Sequence, residues 1–271
     1  MPFTVNGKIQ PFFQVQRRKY RFRWLNGGPS RFYQFFLTNP DNLNQTITFN
    51  QISTDGNLLP APITVSSVPL SVAERVDVVI DFSHPQFAGK SLYLENRLEQ
   101  TNGRGPTGKI LPAGQGDKVL RFDVGTTAVA DPSQVPATFY SLPPTNTQGA
   151  PTRVWRFERQ NGAWAVNQEF FACDDVRATL QQGTAEIWVF QNNSGGWQHP
   201  IHIHFEEFQI LSRNGQPPPV NEVGRKDVVR LGFNEEVRVF QRFRDFTGRY
   251  VMHCHNTVHE DHAMMIRFDI K

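Results

Sequence analysis

The chain has 271 residues, 38% of them hydrophobic and 20% charged, enough length for two domains of ordinary size and the composition of a globular protein. A net charge of +3 is too small to argue for a nucleic-acid partner. No run of about 18 apolar residues exists to form a membrane-spanning helix.

Strand patterns dominate from the start. In "KYRFRWLN", Tyr20, Phe22 and Trp24 alternate with Arg21 and Arg23, the period-two pattern of a half-buried strand. "RVDVVIDF", "SLYLENR" and "VLRFDV" follow, rich in β-branched and aromatic residues, with "LNGG", "STDGN" and "NGRGP" as turns. Residues 125–150, rich in Pro, Thr, Ser and Ala, read as an ordered linker over the surface. Past it come "TRVWRFER", "TAEIWVFQN", "FEEFQILSR", "VRVFQRF", "GRYVMHC" and "MIRFDI". Sustained 3.6-residue periodicity is rare. The expectation is an all-β protein of two sandwiches, 1–124 and 151–271, joined by that linker.

Two cysteines, Cys173 and Cys254, make no disulfide framework. Cys173 reads as a free thiol on or near a strand. The start, "MPFTVNGKIQPFF", lacks the shape of a signal peptide, although a processed or internal start would look the same.

The histidines are concentrated. Four of eight lie in "YVMHCHNTVHEDHAMM", residues 250–265, and three in "HPIHIH", residues 199–204; only His84 lies elsewhere. If "VMHCHN" is a strand, His253 and His255 point to one face and Cys254 to the other, so one strand serves two sites. His202 and His204 share a face by the same logic, while His199 sits where a loop enters before Pro200. On the Cys254 side, His199, His259, Met264 and Met265 are available to complete a site. Two imidazoles, one thiolate and a weak axial thioether make a trigonal blue-copper site. Zinc competes, but zinc–sulfur sites usually use paired cysteines, so these residue types favour copper. A buried histidine satisfied in a core is the commoner case, yet seven histidines in two short segments do not fit it. His262 reads as a surface or supporting residue, His84 as a loop residue and Met265 as core.

These motifs resemble the multicopper oxidases, in particular the bilirubin-oxidase and bacterial spore-coat-laccase branch. "FTVNGK", "RKYRFRWLN", "STDGNLLP" and "VAERVDVVIDF" look like its second cupredoxin domain; "GTAEIWVFQN", "HPIHIH", "RKDVV" and "GRYVMHCHNTVHEDHAMM" look like its third. The resemblance implies two cupredoxin-like Greek-key sandwiches, the first without copper. It implies type 1 copper on His199, Cys254 and His259 with Met264 axial. It further implies that His202 binds type 2 copper and that His204, His253 and His255 bind the type 3 pair. The complete enzyme would hold four coppers. Such enzymes take single electrons from an organic donor, phenolic or tetrapyrrole, and pass them through Cys254 and its flanking histidines. Dioxygen is then reduced to water. Glu260, directly after His259, is expected to deliver protons, while Asp261 is read as structural. Trp197, two residues before His199, is expected to line electron entry together with His259. A secreted or periplasmic location is expected.

The sequence also departs from the family. A trinuclear cluster needs eight histidines, and this chain offers His202, His204, His253 and His255. Two further His-x-His motifs belong to a first cupredoxin domain, expected here as a separate or cleaved chain. The histidine-bearing face should then be apolar at its rim, ready to meet that partner. Competing readings are a metal-ion oxidase for Mn(II) or Cu(I), and a one-electron carrier with type 1 copper alone. The retained histidine pairs argue against a carrier. An acidic cluster near the His199/His259 edge would favour a metal ion, but Glu206 and Glu207 are carried away from it by strand direction.

Overall fold

A computed structural model describes residues 2–204 and 206–271. The all-β expectation holds: two sandwiches follow one another along the chain. In the first, a five-stranded sheet runs in the order 12–17, 117–128, 91–96, 33–38 and 67–70. It packs on a four-stranded sheet ordered 19–25, 75–81, 49–54 and 57–65. Tyr20, Phe22 and Trp24 turn inward against a core of Phe35, Val78, Phe82 and Phe122, while Arg21 and Arg23 stay exposed. Burial of such aromatic and aliphatic side chains is worth about 1.5–3 kcal/mol each.

The second sandwich pairs a six-stranded sheet, ordered 163–166, 152–160, 184–192, 236–243, 208–213 and 225–226, with a five-stranded one. That five-stranded sheet runs 176–180, 265–270, 248–254, 199–203 and 228–231. Its core is built on Trp155, Trp188, Phe190, Phe243 and Phe268, and Cys254 and Met264 belong to it. The central pairing matters most for function. Strand His199–Ile203 lies antiparallel to Gly248–Cys254 with Ile201 opposite Cys254 and His202 opposite His253.

Three local expectations gain detail. The strand expected to end near Val124 runs to Ala128, since parallel pairing extends to Ala128 opposite Arg17. His199, where a loop was expected to enter, is the first residue of its strand, paired with Leu231. The loop after Cys254 contains a short helix, Thr257–Asp261, capped by the Asn256 side chain, which accepts from the Val258 N–H.

Residues 130–150 carry no regular secondary structure. They contact both sandwiches: the Phe139 N–H donates to the Pro60 carbonyl, and Gln209 donates to the Pro143 carbonyl. The sandwiches also meet directly through a buried cation. Lys226 Nζ lies 2.8 Å from an Asp55 carboxylate oxygen, 3.1 Å from Glu74 and 2.9 Å from Thr54 Oγ1. A lysine buried this deeply is tolerated only with such partners.

Candidate metal centres

Strand alternation sorts the histidines onto two faces of one sheet. His199, Cys254 and His259 converge in the sandwich interior, all of them buried. Their ligating atoms form a triangle: His199 Nδ1 to His259 Nδ1 is 3.0 Å, Cys254 Sγ to His199 Nδ1 is 3.5 Å, and Cys254 Sγ to His259 Nδ1 is 3.6 Å. The centre of that triangle lies about 2 Å from each corner, the length of ordinary metal–nitrogen and metal–sulfur bonds. The helix supplies His259 and its C-terminal turn leads into Met264, whose N–H donates to the His259 carbonyl. Met264 is fully buried in the same core.

Protonation is set by the neighbours. Ser194 gives its single hydroxyl proton to the Asn192 side-chain carbonyl. His199 Nε2, 2.7 Å from Ser194 Oγ, must therefore be the donor in that contact, which leaves Nδ1 bare and aimed at Cys254. Burial holds His199 uncharged, with its pKa well below the usual histidine range. His259 falls to about 3 through burial, with Arg159 and His262 adding repulsion. Burial pushes the Cys254 thiol up. A bare imidazole nitrogen on His199, a second imidazole on His259 and a thiol that ionises only against a cation suit a soft, thiophilic metal. The residues fit copper.

The second group lies on the opposite face. His202, His204 and His253 bring one ring nitrogen each within 4.8 Å of one another. His204 Nε2 is 3.2 Å from His253 Nε2. His255 stands beside them, its ring centroid 5.2 Å from that of His253 and 5.8 Å from that of His202. Again the far ring nitrogens are occupied. His202 Nδ1 is 2.9 Å from the Asp227 carbonyl oxygen. His253 Nδ1 is 3.2 Å from the Cys254 carbonyl and 3.3 Å from Glu260 Oε1. Carbonyl oxygens only accept, so both Nδ1 atoms carry protons and both Nε2 atoms are free. Burial and the surrounding histidines bring His253 to about 3.

Glu260 is thus in contact with the second group although it follows a member of the first. Burial raises its pKa, with Asp261 adding to the rise and His202 opposing it. His262 caps the helix end and is exposed, Met265 is half-buried in a strand, His84 caps a short 3₁₀ turn, and Cys173 is an exposed free thiol in a loop. Glu206 is buried against Arg244, and Glu207 accepts from Asn57. The direct partners of the open group are polar. The polar contacts of the histidines are Asp227, itself paired with Arg75, and Glu260. Ring nitrogens held in one tautomer need polar partners, and these supply them.

Trp197 packs against the interior group. Its ring centroid lies 5.3 Å from that of His259 and 4.9 Å from that of Trp164. Trp164 itself is 3.9 Å from His259. Arg159 lies over Trp164 and Arg104, from the first sandwich, over Trp197. Ser194, Trp164, Arg159, Asp227 and Arg75 carry no sequence signal of a role. Arg75 and Asp227 are 152 residues apart, and nothing local announces their pairing.

With two ligand-ready groups back to back, relatives become informative. Residues 144–271 match the family model for multicopper oxidases. The chain is 39% identical to a bilirubin oxidase of Albifimbria verrucaria over 273 residues, covering 98% of this chain and 47% of that protein. The chain belongs to the multicopper oxidase family. This multicopper oxidase sequence is also 33% identical to a laccase of Bacillus subtilis (strain 168) over 291 residues, 98% of this chain and 53% of that protein. Among solved structures, the McoA multicopper oxidase from Aquifex aeolicus superposes with a TM-score of 0.86 at 26% identity, covering all of this chain and 60% of that one. The chain spans about half the length of the curated relatives it matches.

Proposed function

We propose that this chain is the donor-oxidising part of a laccase- or bilirubin-oxidase-like enzyme that couples one-electron oxidation of an organic donor to reduction of dioxygen to water. The observation that carries this reading is the adjacency of two ligand-ready groups on opposite faces of one strand. His199, Cys254 and His259, with Met264, would hold a type 1 copper, His202 a type 2 copper, and His204, His253 and His255 the type 3 pair. Bound there, copper supplies one-electron redox chemistry and the means to bind dioxygen.

The chain's own residues account for the rest. Cys254 is covalently continuous with His253 and His255, so the two groups are joined through three consecutive residues. Trp197 and Trp164 exclude water from the interior group and offer an aromatic path toward the surface. That edge carries the guanidiniums of Arg104 and Arg159, whose positive charge favours organic donors over Mn(II) or Cu(I). Glu260, against His253 and with its pKa raised by burial, stands where it can relay protons that oxygen reduction consumes. The exposed histidine group would be completed by a further cupredoxin domain carrying two His-x-His motifs.

The test is dioxygen consumption with a phenolic donor, by copper-loaded chain alone and with a polypeptide carrying those motifs. Blue colour in the chain alone, and oxidase turnover only with the second polypeptide, is the expected outcome. Full turnover by the chain alone would show that it needs no partner. Loss of the blue band from a fully folded, copper-loaded chain would sink the type 1 assignment.

A further inference from the structure

We propose that Arg75 is a positioning residue for His202, acting from the first sandwich through Asp227; the inference rests on the reading of His202 as a copper ligand. The first sandwich contributes no residue to either histidine group, yet it grips the segment that orients one of them. Arg75 Nη1 and Nη2 donate to the two carboxylate oxygens of Asp227 at 2.7 and 2.6 Å. The same guanidinium donates to the carbonyls of Ala73 and Asp55, at 3.1 and 2.9 Å. A planar guanidinium engaged at four points has little freedom, and the bidentate half matches a carboxylate's geometry.

The backbone beside it is held from the same side. One Asp55 carboxylate oxygen accepts from the Asp227 and Val228 N–H groups at 3.3 and 3.2 Å and lies 2.8 Å from Lys226 Nζ. The Lys226–Val228 segment is therefore fixed by its backbone donors, by the buried lysine and by the Asp227 side chain together. What it presents to His202 is the Asp227 carbonyl, 2.9 Å from Nδ1.

Asp227 offers His202 two acceptors, the carbonyl and a carboxylate oxygen 3.6 Å from Nδ1. Arg75 occupies both carboxylate oxygens and so leaves the carbonyl as the working partner. Without Arg75 the carboxylate is free to rotate and compete for the ring. The imidazole then samples a second orientation, and Nε2 no longer points steadily at His204 and His253. Partners that orient a ligating histidine in this way typically contribute about 10- to 100-fold to metal affinity.

The experiment uses the metal-free 271-residue chain with ¹⁵N-labelled histidine, at a pH above the histidine range, and reads the His202 ring nitrogens by long-range ¹⁵N–¹H correlation. The expected wild-type pattern is one protonated Nδ1 and one bare Nε2. In Arg75→Gln the ring keeps its Nδ1 proton, because carbonyl and carboxylate both accept, but the single set of His202 ring signals should broaden or split into two as the ring samples two orientations, while the His199 signals stay in place. Arg75→Lys, which keeps the charge and one donor, should restore the single set in part, and it also serves if the glutamine variant folds poorly. Cu(II) affinity at the open group should fall about 10- to 100-fold in Arg75→Gln. An unaltered His202 pattern in a folded Arg75→Gln chain would overturn the proposal. His202→Ala keeps the underlying reading separate: if it binds Cu(II) as tightly as wild type, the ligand assignment falls, while the ¹⁵N pattern still decides what Arg75 does.

Discussion

Single ring nitrogens decide what the two histidine groups can do. Ser194, the Asp227 carbonyl and the Cys254 carbonyl each bind the far nitrogen of one imidazole and leave the near one with a free lone pair. Cys254 is the residue on which the interior group turns. Cys254→Ser should abolish the blue thiolate absorption without unfolding the sandwich, because serine is smaller than cysteine and still accepts from the Asn256 N–H. Absorption and circular dichroism together check this, and a blue serine variant would remove the type 1 assignment. Glu260 acts on the other side. In a complete enzyme, Glu260→Gln should slow reoxidation by dioxygen by about 10²- to 10⁴-fold while reduction by the donor stays nearly intact. Stopped-flow measurement of the two half-reactions separates them, and equal losses in both would make Glu260 structural.

Among the elements, the strands were the most legible. Alternation in "VMHCHN" separates Cys254 from His253 and His255, and the observed register puts Ile201 opposite Cys254 and His202 opposite His253. The helix Thr257–Asp261 was not legible, because five residues are too few to display a helical period. Its start is nevertheless fixed by chemistry present in the sequence. Asn256 accepts from the Val258 N–H with its side chain, while its own N–H donates to Cys254 Sγ. Asn256→Ala should cost about 1 kcal/mol of stability and loosen His259, so that the blue band weakens or shifts; Asn256→Asp should retain most of the stability. Denaturant melts beside absorption spectra check both effects. A stable alanine variant with an unchanged spectrum would show that the cap does not hold His259.

Across the whole molecule, buried charge joins the two sandwiches. Asp55, Glu74 and Glu222 hold Lys226 charged above the usual lysine range even though burial opposes it. Lys226→Met leaves Asp55 and Glu74 buried without their cation and should cost about 3–5 kcal/mol, read as a lowered urea midpoint. Glu222 adds a pH dependence. Burial alone would raise its pKa, but Arg213 and Arg230 outweigh that and hold it at about 2, against 4.5 for the free side chain. Its stabilisation is therefore complete above pH 4.5 and lost as pH falls toward 2, by roughly 3 kcal/mol in all. Glu222→Gln should flatten the acid limb of a stability–pH curve over that window while lowering stability at neutral pH. An acid limb as steep as wild type would assign it to other carboxylates.

The sequence by itself determined the strands, the sorting of histidines between two faces and the residue types that suit copper. Period-two alternation and ligand chemistry are local properties, readable from "HPIHIH" and "VMHCHN" alone. Tertiary structure decided which partner each imidazole meets. Ser194 against His199, Glu260 against His253 and Asp227 against His202 depend on how strands and loops pack. The hold of Arg75 on Asp227 depends on the docking of one sandwich against the other. A hydrogen bond between residues 152 positions apart leaves no periodic trace in the chain. It forms only because buried polar groups must find partners once the surfaces close, and the choice of partner is a property of the closed surfaces.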